Sequence, residues 1–380
     1  MKEPIYLDYN ATTPVTPEVV EATGVAMREL WGNPSSAHAY GRRAAEALAR
    51  ARGQVASLLG CHEDEVVFTS GGTESDNAAI VGVAEALSER GRHIVTSTIE
   101  HPAVAEPCSY LERRGWQVTR VGVDSQCRVD SAEIADALRD ETVLVSIMHA
   151  NNETGVIQPI GEIAELTRPR GIVLHTDAAQ SVGKLPVGLD ALGVDLLALA
   201  GHKLYAPKGV GALVLRRGTP CACFLHGAGH EGGRRSGTEN TPLIVGLGAA
   251  CALAASELEQ RSAHLRAMRD RLTERLAAAF PDLVVHGQDA ERLPNTLYVA
   301  LPSVDANRLL QRLDGVATAA GAACHAEHAE PSSVLRAMGV ADALALCTLR
   351  LTTGRETTAE EIDCAAERIV TAAHSLESGS

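Results

Sequence analysis

The chain has 380 residues, 48 acidic against 34 basic side chains, a formal net charge of −14 and 45% hydrophobic residues. Those values describe a globular protein long enough for about two domains, and they exclude disordered and collagen-like architectures. The acidic balance, with no Lys/Arg run longer than two, also argues against direct nucleic-acid binding, because phosphate contacts need clustered basic charge. The longest uncharged apolar stretch, Pro242 to Ala255, is too short to span a bilayer and reads as a buried helix. The opening MKEPIYLDYNATTP has no signal-peptide core, so a cytoplasmic location is expected. Nine cysteines without disulfide-like spacing read as free thiols of a reducing compartment. Only four of the basic residues are lysines, namely Lys2, Lys184, Lys203 and Lys208, so lysine chemistry has few places to occur.

In chain order, EVVFTS (65–70), HIVTSTIE (93–100), WQVTRVGV (116–123), TVLVSIMHA (142–150), GIVLHTDAA (171–179), VDLLALAG (194–201) and GVGALVLR (209–216) read as strands. Helical stretches such as Asp76 to Arg90 and Ser131 to Arg139 lie between them. Apolar strands alternating with helices imply an α/β large domain, residues 16–255, with a mostly parallel sheet sandwiched by helices. Ligands of such sheets collect beyond the strands' carboxyl ends, so functional residues are expected just after strands. Further on, Leu258, Leu265, Met268, Leu272 and Leu276 keep helical spacing along a charged helix ending near Pro281. The strand NTLYVAL (295–301), a helix near Asn307 to Leu313, the small-residue loop VATAAGAAC (316–324) and a closing helix from Ala359 to Leu376 follow. Residues 1–15 and 256–380 are read as a smaller α+β domain.

Three features carry chemistry. In FTSGGTES (68–75) a strand runs into Gly71-Gly72-Thr73 and a helix, whose free N–H groups and hydroxyl suit a phosphate. HTDAAQ (175–180) ends a buried strand with Asp177, a costly carboxylate unless it meets a cation such as a protonated pyridine nitrogen. AGHKLYAPKGVG (200–211) places Lys203 just past an apolar run, whereas Lys2 is terminal, Lys184 reads as part of a polar turn and Lys208 lies in a glycine-rich loop. Lys203 is thus the best candidate for a Schiff-base amine. Each feature alone also reads as an ordinary cap or surface residue. Together, a phosphate turn, a strand-end Asp and a strand-end Lys are what pyridoxal phosphate requires. A formal GxGxxG at Gly227, Gly229 and Gly232 is followed by polar GRRSGTEN, where a dinucleotide site needs an apolar helix.

With these motifs on the page the sequence resembles the cysteine desulfurases, class V aminotransferase-like members of the fold-type I pyridoxal phosphate enzymes. The resemblance runs through YLDYNATTP (6–14), GNPSSAHAYGR (32–42), FTSGGTESDN (68–77), EHPAV (100–104), NNETGVIQP (151–159), HTDAAQSVGK (175–184), GHKLYAPKGVGAL (201–213), RSGTEN (235–240), GAACH (321–325) and LRLTTGRETT (349–358). It implies that Lys203 bonds the cofactor, Asp177 pairs with its ring nitrogen, and His101 stacks on the ring and assists proton transfer. Gln180 and Asn152 are implied at the ring hydroxyl and substrate side, and Gly72, Thr73 and His202 at the phosphate. Thr238 is similar to a residue that reaches the phosphate of a neighbouring subunit, which implies a homodimer. Arg350, with Asn33 and Asn152, is implied in substrate binding, Arg350 as a bidentate partner of the carboxylate. Cys324 matches the nucleophile that takes sulfur from L-cysteine as a persulfide, leaving alanine, for passage to a protein acceptor in iron–sulfur assembly or in tRNA, cofactor or DNA thiolation.

Some positions depart from the family. Ala200 stands where a phosphate-contacting hydroxyl usually precedes GHK, Ala206 replaces a common glycine, and GAGHEGG replaces a GGGQE-type sequence. His325, with His328 nearby, follows the nucleophile where Ser or Thr is usual. GAACH, NATTP, NNETG and RLPNT (292–296) are instead similar to selenocysteine lyases, which makes cleavage of selenocysteine the rival activity. Protonated imidazoles beside Cys324 would lower its pKa. A rival of another class, a metal-binding or redox module, rests on Cys221, Cys223, His226 and His230, whose CxC spacing is tight for zinc.

Overall fold

The seven apolar runs share one sheet. In the computed structural model, which describes residues 3–325 and 328–377 and their side chains except at 322–329 and 377, the strands are Val66–Thr69, His93–Ser97, Gln117–Val121, Thr142–Ser146, Val173–Asp177, Leu196–Ala200 and Gly211–Leu215. Across the sheet their order, by first residue, is 66, 211, 196, 173, 142, 93, 117. Strands 117, 93, 142, 173 and 196 pair in parallel. Gly211–Leu215 runs antiparallel to both of its neighbours.

Alternate residues of each strand serve opposite faces. Val66, Phe68, Val95, Val145, Leu174, Leu197 and Val214 join one buried cluster, together with the helix Ala39–Leu59 and the start of Thr241–Ala279. Val67, Ile94, Leu144, Val173, Leu196 and Leu213 join another, with the helices Gly72–Ala86 and Pro102–Glu112. A sheet buried on both faces explains why its strands read as continuous apolar runs. It also leaves the loops beyond the strand ends as the place for polar chemistry.

The two helical segments expected on either side of Ala255 form one helix, Thr241–Ala279. Over one window it is long and apolar enough to cross a membrane. Ile244, Leu247, Ala250, Cys251 and Ala254 nevertheless belong to the sheet's core cluster, so this part packs as a core helix. Its far half supplies Leu272 and Leu276 to a separate cluster with Leu297, Val299, Leu349, Leu351, Ile362 and Ile369. That cluster covers an antiparallel sheet of Ala319–Ala320, Thr348–Thr352, Thr296–Ala300 and Val284–Val285, in this order.

The N-terminal arm joins this second unit. Ile5–Tyr6 pairs in parallel with Val316–Ala317, and Leu7 lies in its core. Beyond Leu7 the arm turns back toward the large sheet. The small-residue stretch expected as a loop is instead broken into short strands, because its backbone finds partners: Ala322–His325 pairs antiparallel with His328–Pro331, with Cys324 opposite Ala329.

Candidate active site

Five of the seven strand ends deliver side chains to one cavity of about 410 Å³. After Val66–Thr69 the chain passes Gly71 at φ +150°, a conformation that favours glycine, and enters the helix Gly72–Ala86. A Cβ on Gly72 would stand 3.1 Å from the Ala200 methyl, so glycine keeps this helix start close to the neighbouring strand end. Gly72, Thr73 and Asp76 line the cavity from here. His101 caps the helix Pro102–Glu112, its Nδ1 accepting the Ala103 N–H at 3.1 Å. The segments after Thr142–Ser146, Val173–Asp177 and Leu196–Ala200 add Met148 and Asn152, Asp177 and Gln180, and His202 and Lys203.

Burial sets the charges of these groups. Lys203 is brought down to about 8 by burial and by Arg350, against the opposing pull of Asp177 and Asp8. Its Nζ donates to the main-chain oxygens of Asn10 at 2.5 Å and Ala11 at 2.7 Å. Burial also raises Asp177, while the Ala179 N–H at 2.8 Å and nearby His101 and Lys203 favour its charged form. His101 is pushed down by burial; with Nδ1 already an acceptor, a neutral ring carries its proton on Nε2. His202, falling to about 4 through burial and its neighbouring cations, bonds Thr12 Oγ1 at 3.1 Å.

Opposite this floor stands a wall of distant origin. Arg350, from Thr348–Thr352, donates to Asp8 Oδ1 at 2.7 Å and to the Asn152 carbonyl at 3.4 Å, while its buried Nε has no partner among the described residues. Asn10 donates through Nδ2 to the Asn152 carbonyl and Thr296 Oγ1. Arg350 also lines an adjoining 390 Å³ cleft with Glu153, Tyr298, Gly321 and Ser332. Gly321 and Ser332 close the base of the hairpin that carries Cys324, the Ser332 N–H donating to the Gly321 carbonyl.

Gly72, Thr73, His101, Asn152, Asp177, Gln180, His202, Lys203 and Arg350 therefore meet in one place. Asn33 does not; it is exposed, and its side chain accepts the Ser35 N–H. Thr238 is likewise exposed and away from the cavity. Its loop is pinned beside the phosphate turn by Arg235 on Glu74 and by Arg52 on Glu231. The side chains of Cys324, His325 and His328 lie outside the described residues. Among the described residues no cluster of three or more His, Cys, Asp and Glu could hold a metal ion. The Cys108 and Cys127 thiols are buried and pushed up to about 12, which keeps them protonated filler.

Three polar residues escaped the sequence reading. Asn10 lies within the YLDYNATTP segment. Asp76 sits one turn into the helix begun by Gly72, fully buried, raised well above the carboxylate range by burial and by Asp177, and 3.4 Å from His175 Nε2. Lys184 was read as part of a polar turn, but it is only 5% exposed. Nothing in its local pattern signalled that burial: the chain around it is an irregular turn with Gly183 at φ +75°.

With this geometry in hand, comparison with known proteins is specific. The model of the family described as aminotransferase class-V matches residues 5–364. "Cysteine desulfurase IscS" of Dictyoglomus turgidum is 45% identical over 365 residues, 96% of this chain and 93% of the relative. Among solved structures, one described as a NifS-like protein superposes with a TM-score of 0.91 at 37% identity, covering 97% of this chain and 98% of its own. Another, "SspA in complex with cysteine", has a TM-score of 0.83 at 34% identity, covering 93% and 99%. Near-full coverage on both sides and a fold-type I sheet leave one conclusion: this chain belongs to the cysteine desulfurases of the class V aminotransferase family, enzymes that depend on pyridoxal phosphate.

Proposed function

We propose that this chain converts L-cysteine to L-alanine and holds the released sulfur as a persulfide on Cys324, ready for a protein acceptor. The observation that carries this reading is the convergence of Lys203, Asp177, His101 and the glycine-fronted helix start with Arg350 in one cavity. These residues fit pyridoxal phosphate. Gly72 and Thr73 offer an anion cradle at a helix start with His202 beside it, Asp177 a buried carboxylate, Gln180 and Asn152 amides, and Lys203 a desolvated amine. When bound, the cofactor draws electrons from the substrate α-carbon.

The chain's own residues do the rest. Lys203, with an amine near 8, accepts and returns a proton close to neutral pH. Arg350 orients the cysteine carboxylate, which enters in competition with Asp8. The Cys324 thiolate attacks the substrate sulfur: an S–S bond forms, the C–S bond breaks, and its electron pair stays with the β-carbon, which takes up one proton to become the alanine methyl. The structural neighbour described as SspA in complex with cysteine supports this substrate.

The relatives named IscS favour iron–sulfur cluster assembly as the destination of the sulfur. We further assign the chain to a cytoplasmic homodimer in which the exposed Thr238 completes the partner's phosphate site, with residues 16–255 as the large domain and 1–15 and 256–380 as the small one. Purified parent protein and Cys324→Ala, each given L-cysteine and L-selenocysteine, test the reading. Loss of alanine formation from cysteine alone supports it, and unchanged turnover of cysteine rejects it. Selenocysteine as the sole good substrate of the parent would establish the lyase instead.

A further inference from the structure

Besides the half-buried Lys203, a second and more deeply buried lysine stands beside the cavity, and the chemistry above does not use it. Lys184 lies in the turn after the strand Val173–Asp177 and is 5% exposed. Among the described residues it makes no ion pair. Its Nζ donates to two neutral oxygens, Asn10 Oδ1 and Gln180 Oε1, each at 3.2 Å. Burial, reinforced by Lys203 and Arg350, brings it down to about 7. A buried cation facing only amides is costly unless its position serves something.

Its neighbours indicate what it serves. When protonated, Lys184 has donors and no acceptor, so only the oxygen end of an amide can then face it, as both bonds show. Gln180 is therefore held with Oε1 toward Lys184, and its Nε2 donates one hydrogen to the Asn10 carbonyl at 3.0 Å while the residue lines the cavity. The second Nε2 hydrogen is left for the cavity. Asn10 is fixed in the same way. Its Oδ1 takes Lys184 and Asn295 Nδ2, its Nδ2 takes the Asn152 carbonyl and Thr296 Oγ1, and its main-chain oxygen receives Lys203 at 2.5 Å.

We propose that Lys184 is a positioning residue of the cofactor site: it fixes the amide orientation of Gln180, so that an N–H faces the ring oxygen of pyridoxal phosphate, and it locks Asn10 as the acceptor for Lys203. The inference rests on the proposed place of Gln180 at the cofactor. Lys184 also adds a positive charge near Lys203, alongside Arg350 and opposed by Asp177 and Asp8.

The test is a double-mutant cycle on pyridoxal phosphate binding by the apoprotein, with Lys184→Met, Gln180→Leu and both together. Each single variant is expected to bind about tenfold more weakly, from the loss of one charge-assisted or aligned hydrogen bond. The double variant is expected to bind no more weakly than Gln180→Leu alone. In Lys184→Met the pH midpoint of the bound cofactor's absorbance should also move upward, because removing a nearby cation favours protonation at Lys203. Additive losses, or an unmoved midpoint with normal affinity, overturn the proposal. Unchanged affinity in Gln180→Leu overturns it at its base, by removing Gln180 from the cofactor. If Lys184→Met does not fold, carbon-13 lysine labelling of the parent protein decides, since only four signals arise. A Lys184 signal that shifts when pyridoxal phosphate is added supports the proposal, and one that does not overturns it.

Discussion

The floor and the far wall of the cavity are built on different principles. The floor takes Gly72, His101, Asp177, Gln180 and Lys203 from four strand ends of one sheet, so each residue ends its strand or follows it by a few positions. The wall gathers Asp8, Asn10, Asn152 and Arg350 through contacts as distant as 342 residues in sequence. A floor of local origin is fixed once the sheet forms. The wall exists only when the N-terminal arm, the second sheet and the loop after Ser146 have all docked. The proposed division of labour follows, with Lys203, Asp177 and His101 acting on the cofactor from the floor and Arg350 orienting the substrate from the wall.

Substitutions on the two sides should separate these roles. Lys203→Ala is expected to have the largest effect, a loss of about a thousandfold or more in kcat together with the bound-cofactor absorbance. An intact absorbance band would remove Lys203 from the floor's chemistry. Arg350→Ala, on the wall, should raise KM for cysteine by about tenfold to a hundredfold and leave the absorbance in place. A fall in kcat at unchanged KM would mean that the wall does more than orient substrate.

Stability distinguishes them next. Burial pushes the Glu100 carboxyl up to about 8, while Ser97 Oγ and the Met148 N–H bond its Oε1. Between the ordinary value of 4.5 and about 8 the folded protein holds a proton at Glu100 that the unfolded chain has released, so this group makes stability fall as pH rises across that window. Glu100→Gln should therefore gain on the parent by about 2–4 kcal/mol between pH ~5 and pH ~8 in thermal or denaturant unfolding. A difference independent of pH would contradict the buried-carboxyl reading. The smallest effect is expected at Ala200, which lines the cavity beside Gly72. Ala200→Ser should tighten pyridoxal phosphate binding by about threefold to tenfold through one added hydroxyl donor; equal affinity would reject that role.

The same contrast explains what was legible in the sequence. Seven apolar runs and their polar ends located the sheet and most of the floor, because a strand end is a local feature. Lys184 was misread for a physical reason: a charged side chain beside Gly183 and Pro186 has the pattern of a solvated turn, and its burial depends on Asn10, 174 residues away. Asp76 was hidden by a helical position that ordinarily faces solvent or caps a turn. The wall residue Arg350 was reached through the family resemblance alone, since nothing in LRLTTG distinguishes it from a solvated arginine. The helix Thr241–Ala279 was divided in two because its apolar half and its charged half serve different cores.

The central claim is that sulfur leaves cysteine through this cavity and arrives at Cys324. Mass spectrometry of the holoenzyme after a single equivalent of L-cysteine, with alkylation of all remaining thiols, tests it most directly. The account predicts the added mass of one sulfur atom on the peptide carrying Cys324 and an equal amount of L-alanine. Alanine released with the extra sulfur on any other cysteine, or with none retained by the protein, would contradict it.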